Sequence, residues 1–90
     1  MTKRGKLEIM RDILQLIQDN GSGIKPTPLL RKSKLSSASF KEYYSELLER
    51  KFVREMPEKD GSKQIVLTEK GFRFLNEYKA IINFIDEFEL

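Results

Sequence analysis

Residues 25–51 read KPTPLLRKSKLSSASFKEYYSELLERK, and this stretch decides the fold. Thr27 is a favourable N-cap for a short helix, and Pro28 then fits the first helical position, where its missing N–H costs nothing. Leu29 and Leu30 would give this helix its apolar side. The stretch therefore predicts a first helix that begins at its two prolines.

A second helix is predicted after a tight turn at Lys34 and Leu35. Ser36 or Ser37 caps this helix at its N-terminus. Its apolar side chains recur at helical spacing on one face: Phe40, Tyr44, Leu47 and Leu48. The opposite face is small or charged: Ala38, Lys41, Glu42, Ser45 and Glu49. Two helices of this kind, the second docked by one face and exposed on the other, form the pattern of a helix-turn-helix.

The same stretch is basic. Five basic residues and no acidic residue lie between positions 25 and 41: Lys25, Arg31, Lys32, Lys34 and Lys41. Ser36, Ser37 and Ser39 lie where the second helix begins, and free backbone N–H groups at such a position can bind a phosphate. The alternative is a solvated basic loop between two helices, and the stretch alone does not decide between the two.

Composition limits the possible functions. The chain of 90 residues has room for one domain. It has no Cys and no His, which excludes disulfides, Cys/His metal sites and imidazole catalysis, so that no metal and no cofactor are expected. No apolar run approaches the ~20 residues of a membrane helix. The absence of Cys fits a reducing compartment, and we expect a cytoplasmic protein.

The charge is divided along the chain. Residues 1–70 carry 15 basic and 10 acidic side chains, a net charge of +5, whereas residues 71–90 carry 2 basic and 4 acidic side chains, a net charge of −2. We therefore expect a polyanion as the partner of the first part and a protein as the partner of the second.

A strongly apolar helix is predicted over Lys6–Asp19. Its apolar residues recur at helical spacing: Ile9, Ile13, Leu16 and Ile17. Asn20 and the glycines after it end the helix, since Asn and Gly suit a left-handed C-cap. Ile24 and Lys25 then form an extended pair before Pro26, with the pattern of a short edge strand.

A β-hairpin is predicted after the second helix of the stretch. Residues 52–56 and Lys63–Leu67 alternate as its strands, and Asp60-Gly61 is the turn signal between them. A hairpin directly after such a helix is the wing of a winged helix. The predicted fold class is therefore mainly α (α+β): a winged helix-turn-helix of three helices and a two-stranded wing, with a long C-terminal helix.

The C-terminal helix is capped by Thr68 and is predicted from Glu69 to about residue 89. A heptad seam with spacings of four and three is formed by Phe74, Tyr78, Ile81, Ile85 and Phe88, with Ile82 and Phe84 beside it. An ordinary core helix remains the alternative. We expect a homodimer, because a domain of three helices and a wing is too small to cover side chains as distant as Phe88. Residues 1–68 would then be the DNA-binding part and residues 69–90 the dimerisation helix of one domain.

Three motifs resemble a known family: Arg4-Gly5-Lys6-Leu7-Glu8-Ile9-Met10, Lys34-Leu35-Ser36 and Leu67-Thr68-Glu69-Lys70-Gly71. Together they resemble the small archaeal winged helix-turn-helix DNA-binding proteins, a group that includes archaeal chromatin proteins. The resemblance spans essentially the whole chain. It implies a nucleoid-associated DNA-binding dimer joined by an antiparallel coiled coil of the C-terminal helices.

We therefore expect a transcription regulator or architectural chromatin protein that binds double-stranded DNA. The helix over residues 36–50 would enter the major groove, and the wing would reach an adjacent groove or phosphate. The candidate DNA-binding residues are Arg31, Lys32, Lys34, Ser36, Ser37, Ser39, Lys41, Arg54, Lys59 and Lys63. Each has the alternative of an ordinary solvated surface residue.

Three acidic residues, Glu42, Glu46 and Glu49, share the outer part of the same helix. Its first two turns have no Asn, Gln or Arg, the side chains that read purines most often. We therefore expect a weak or shape-based sequence preference. The alternative function is a winged-helix module that binds protein and not DNA. An enzyme is not expected, because no nucleophile is grouped with a base and an orienting residue.

Overall fold

Four helices and three short strands make up the part of the chain that the computed structural model describes. The described residues are 5–21 and 23–90, so that the predicted basic arm at residues 1–4 and Ser22 lie outside them. The elements in order are α1 (Lys6–Asp19), β1 (Gly23–Ile24), α2 (Pro26–Ser33), α3 (Ser37–Glu49), β2 (Val53–Pro57), β3 (Lys63–Leu67) and α4 (Glu69–Glu87). The predicted order of elements is confirmed, and the mainly helical winged-helix fold with it.

The strand β3 is the centre of an antiparallel sheet with the order β1-β3-β2. Ile24 pairs with Ile65, and the hairpin register runs from Val53 opposite Leu67 to Pro57 opposite Lys63. The sheet therefore has one strand more than the two-stranded wing of the prediction. This strand is the extended pair expected before Pro26, placed one residue earlier.

Helix α1 lies at the centre of the core. Ile13, Leu14 and Ile17 on its inner face are at most 1% exposed. Buried residues from the other elements surround them: Ile24, Leu29, Phe40, Leu47, Val53, Ile65, Leu67 and Leu75. Burying one such side chain is worth roughly 1.5–3 kcal/mol, so this cluster fixes how the helices and the hairpin are placed.

The start of α2 differs from the prediction at Thr27 and Pro28. Lys25 is the N-cap, with φ −77° and ψ 154°, and Pro26 takes the first helical position. The residue before a proline is held in the extended region, which is the backbone conformation of an N-cap. Pro26 thus meets the requirement that the sequence analysis assigned to Pro28, and the predicted cap was wrong by two residues.

The turn into α3 follows the prediction. Lys34 ends α2 in the left-handed region, with φ 60°. The Ser33 hydroxyl donates to the carbonyl of Leu30 at 2.6 Å and accepts from the N–H of Leu35 at 3.2 Å. Of the two candidate caps, Ser36 is the N-cap of α3. The turn is therefore fixed by local hydrogen bonds on both sides of Lys34.

Helix α4 begins at the predicted cap. The Thr68 hydroxyl accepts from the N–H of Gly71 at 3.1 Å and donates to the carbonyl of Lys51 at 2.6 Å. The helix ends at Glu87, two residues before the predicted end. None of the helices in the described residues is both long and apolar enough to cross a bilayer.

Candidate nucleic-acid interface

The turn between α2 and α3 presents an exposed basic surface. Arg31 and Lys32 lie in the last turn of α2, where a positive charge is favourable beside the negative end of the helix dipole. Lys34 follows them, and Lys41 lies in α3. All four side chains are exposed. None of them forms an ion pair within the described residues. Lys32 Nζ donates to the side-chain oxygen of Asn20 at 3.4 Å, a neutral partner, so the positive charges of these predicted site residues are not neutralised by any carboxylate among the described residues.

The three serines at the start of α3 differ in what they can offer. Ser36 and Ser37 are exposed, and Ser39 is half-buried. The Ser36 oxygen accepts from the N–H of Ser39 at 3.2 Å, so that this N–H is not available to an anion. The Ser36 hydroxyl can still donate its proton outward. Of the serine groups, the Ser36 and Ser37 hydroxyls are the best placed to meet a phosphate.

The outward face of α3 mixes charges of both signs. Lys41, Glu42 and Glu49 are exposed there, opposite the buried Phe40 and Leu47. Neither Glu42 nor Glu49 has a hydrogen bond or ion pair with another described residue. The free carboxylates next to Lys41 limit the attraction of this face for a polyanion.

Glu46, by contrast, is held within the protein. Its carboxylate lies 2.8 Å from Lys6 Nζ and 2.7 Å from Arg50 Nε. These hydrogen bonds, that from Lys6 first, lower the pKa of Glu46. The link to Lys6 ties α3 to the start of α1, so that Glu46 has a structural contact where the sequence suggested only a shared acidic face.

The two faces of the wing carry different candidate residues. Val53 opposite Leu67 and Glu55 opposite Ile65 lie on one face of the hairpin, because side chains two apart on a strand point the same way. Lys63 shares this face, whereas Arg54 lies on the other. Arg54, and Lys59 at the wing tip, are exposed. Neither forms an ion pair within the described residues.

Lys63 is not free. Its Nζ lies 3.0 Å from Oε2 of Glu55, and the same oxygen accepts from the hydroxyl of Tyr44 at 2.5 Å. The hydrogen bonds from Tyr44 and then Lys63 lower the pKa of Glu55. Burial, and then the bond to Glu55, raises the pKa of Tyr44 well above its usual value. The wing is thus joined to α3 by a polar contact.

The wing tip also contacts Lys25, the N-cap of α2. The Nζ of Lys25 lies 4.0 Å from Asp60, and Asp60 accepts from the N–H and the hydroxyl of Ser62 at 3.0 and 2.6 Å. The roles of Tyr44, Glu55 and Asp60 were not predicted from the sequence. Asp60 belongs to the Asp-Gly turn signal, whereas nothing in the sequence relates Tyr44 to a carboxylate eleven residues later.

The predicted seam on α4 is divided by the structure. The rings of Phe74 and Phe52 lie 5.0 Å apart, and the guanidinium of Arg11 lies 5.4 Å from the ring centre of Tyr78. This part of the seam packs on its own chain. Further along, the large apolar side chains are exposed or half-buried: Ile81, Ile82, Phe84, Ile85 and Phe88.

A family model for the winged helix-turn-helix matches residues 3–86, which is nearly the whole chain. The chain belongs to the winged helix-turn-helix family. In a winged helix-turn-helix, α2 and α3 are the helix-turn-helix pair and β2–β3 is the wing. No match was found among curated protein sequences.

Solved structures agree with this assignment. The chain is similar to SSV1 F-93, with 30% identity and a TM-score of 0.68 over 89% of this chain and 91% of that one. It is similar to F93 from STIV, described as a winged-helix DNA-binding protein, with 24% identity and a TM-score of 0.73 over 89% and 91% of the two chains. It is also similar to Sso10a-2, a DNA-binding protein from Sulfolobus solfataricus, with 22% identity and a TM-score of 0.74 over 96% and 86%.

Proposed function

We propose that this winged helix-turn-helix protein binds double-stranded DNA through the turn between α2 and α3, the start of α3, and the wing. The observation that carries the proposal is the set of exposed cations around the turn, Arg31, Lys32, Lys34 and Lys41, whose charges no described carboxylate neutralises. Free Lys and Arg side chains release counterions when they meet phosphates, which is the main source of affinity for DNA. The printed descriptions of F93 and Sso10a-2 as DNA-binding proteins support the same function.

The mode of binding follows from the outward face of α3. Arg31, Lys32 and Lys34 contact the phosphate backbone, while Lys41 and the hydroxyls of Ser36 and Ser37 meet phosphates or base edges. Beside them, the carboxylates of Glu42 and Glu49 have no partner among the described residues, and phosphates repel them unless a cytosine N4 donates to one. Sequence preference is therefore weak or based on DNA shape. This mode suits an architectural, nucleoid-associated protein or a regulator with a relaxed site.

We also propose a homodimer through α4, with residues 1–68 as the DNA-binding part and residues 69–90 as the dimerisation helix. Ile81, Phe84 and Phe88 are 58%, 56% and 57% exposed, and covering such side chains is worth roughly 1.5–3 kcal/mol each. An antiparallel pairing places Arg73 of one chain near the acidic end of the other, whereas a parallel pairing places the two acidic ends together. The two DNA-binding parts of the dimer then bind the same duplex.

One experiment separates the candidate functions. Duplexes with random sequence are incubated with the protein, the bound fraction is amplified and sequenced, and the affinity of the final pool is measured at about 50 and 200 mM salt. We expect tight binding at the lower salt, a steep loss at the higher, and little or no enriched motif. An enriched motif indicates a regulator with a defined site. No binding at the lower salt overturns the DNA-binding proposal and favours a protein-interaction module, for which the exposed end of α4 would be the surface.

A further inference from the structure

A continuous set of contacts runs from the core to the wing. Phe40 of α3 is buried, and the Tyr44 ring stacks on it at 5.6 Å with the two planes 8° apart. The Tyr44 hydroxyl donates to Oε2 of Glu55 at 2.5 Å. Lys63 Nζ lies 3.0 Å from the same oxygen. Oε2 of Glu55, on the wing, therefore interacts both with Tyr44 of α3 and with Lys63 of the wing.

The register of the hairpin explains why these groups meet. Glu55 pairs with Ile65, and Lys63 lies two residues before Ile65 on the neighbouring strand. Glu55 and Lys63 are therefore diagonal neighbours on one face. Nearer the core, the side chains on this face are those of the buried Val53 and Leu67. At Glu55 it reaches the edge of the core, where Tyr44 is the side chain of α3 that meets it.

This arrangement makes Lys63 different from the other candidate cations of the wing. Arg54 and Lys59 are exposed without an ion pair among the described residues, but Lys63 already faces a negatively charged oxygen. A carboxylate offers a lysine the same kind of partner as a phosphate, namely an anionic oxygen at hydrogen-bond distance. A phosphate that approaches Lys63 must therefore share it with Glu55 or displace Glu55.

We propose that Glu55 is a positioning residue of the DNA interface, which fixes the wing against α3 through Tyr44 and competes with phosphate for Lys63, so that it lowers the affinity of the wing for DNA. The inference rests on the proposed function. It predicts effects of opposite sign when the charge of Glu55 and the hydroxyl of Tyr44 are removed separately. A residue that only stabilised the fold would not give such a pair of results.

Two conservative variants separate the two actions. Glu55→Gln removes the negative charge but keeps an oxygen that accepts from Tyr44, so the wing stays in place and Lys63 is released. Since an exposed ion pair contributes about 0.2–1 kcal/mol, duplex affinity should rise by a factor of about 1.4 to 5. Tyr44→Phe keeps the ring on Phe40 and removes only the hydroxyl. Affinity should then fall, with the slope of log K against log salt unchanged, because the phosphate contacts remain but the wing is less well placed.

The control is a second wing carboxylate, Glu58, which is exposed and forms no ion pair within the described residues. Fluorescence anisotropy with one duplex gives the affinities of Glu55→Gln and Glu58→Gln, each with Lys63 present and in a Lys63→Ala background. Circular dichroism checks that each variant is folded. The gain from Glu55→Gln should depend on Lys63, whereas any gain from Glu58→Gln should be the same in both backgrounds.

The outcomes are distinct. If Glu55→Gln does not raise the affinity, or raises it equally without Lys63, the competition is overturned while the DNA-binding function stands. If Tyr44→Phe is folded and binds as the wild type does, the positioning action is overturned. If Tyr44→Phe does not fold, the comparison of Glu55→Gln with and without Lys63 still decides whether Glu55 competes with phosphate for Lys63. If the wild type does not bind duplex DNA at all, both this inference and the proposed function fail.

Discussion

The carbonyl oxygen of Phe52 lies against Gly71, too close for any side chain at position 71. The same carbonyl accepts from the N–H of Thr68 at 3.1 Å, and the Thr68 hydroxyl caps Gly71. The start of α4 is thus fixed onto the beginning of the hairpin. Thr68 and Gly71 of the Leu-Thr-Glu-Lys-Gly motif are explained by this packing of backbone on backbone.

Gly71→Ala should therefore destabilise the protein by about 1–3 kcal/mol, as expected when an added carbon forces the backbone to move. Urea denaturation followed by circular dichroism measures the loss. Gly5→Ser is the control, because a side chain at Gly5 meets no atom within 4 Å and serine is a favourable N-cap. Equal stability of Gly71→Ala and the wild type would contradict the close packing at Phe52.

The exposed end of α4 should form the dimer contact. Ile81→Asp places a charge in the apolar stripe, so it should give a monomer, and its fold should be retained because Ile81 is 58% exposed within one chain. Asn83→Asp adds the same charge about 200° further round the helix and should leave the dimer intact. Sedimentation equilibrium at about 100 μM, far above a micromolar Kd, measures the mass. A wild-type mass of 10.6 kDa, that of one chain, would overturn the proposed dimer.

The contact between Tyr44 and Glu55 should be visible at high pH. Burial and the bond to Glu55 raise the pKa of Tyr44 above the value of about 10 in an unfolded chain. The neutral hydroxyl therefore contributes stability that is fully present below about pH 10 and is lost as the pH rises further. In an ultraviolet titration the tyrosine that ionises last should be missing from Tyr44→Phe. If Tyr44→Phe still has a tyrosine that ionises at the same high pH as the last one of the wild type, the contact between Tyr44 and Glu55 is not formed.

The sequence predicted local structure well, because local patterns determine it. The turn at Lys34 and Leu35, a serine cap at Ser36 or Ser37 and the hairpin turn at Asp60-Gly61 each depend on residues within a few positions of one another. The start of α2 was misplaced because two prolines, at positions 26 and 28, both fit a first helical turn. Local rules do not rank such alternatives.

Contacts between elements could not be predicted in this way. The pairs Tyr44–Glu55 and Lys6–Glu46 depend on how α3 meets the wing and α1, which no periodicity specifies. For the same reason, the sequence could not show which residues of the seam on α4 pack on their own chain. Its spacing is identical whether a side chain packs on its own body, as Phe74 does on Phe52, or lies exposed as Phe88 does. The candidate DNA-binding residues were selected by charge, and charge does not show that Lys63 forms an ion pair whereas Lys59 forms none with any described residue.

A matched pair of lysines allows a direct test of DNA binding through the turn. Lys34 and Lys51 are both exposed, and the backbone of both is in the left-handed region, with φ 60° and 64°. They lie before the start and after the end of α3. Asparagine tolerates this conformation, so Lys34→Asn and Lys51→Asn each remove one charge without straining the backbone. The two variants differ mainly in which end of α3 loses the charge.

The deciding measurement is the slope of log K against log salt for one duplex bound by the wild type and by these two variants. We expect a steep wild-type slope, a slope reduced by about one unit per protomer in Lys34→Asn, and a nearly unchanged slope in Lys51→Asn. Equal slopes for all three proteins, or a loss confined to Lys51→Asn, would contradict DNA binding through the turn between α2 and α3.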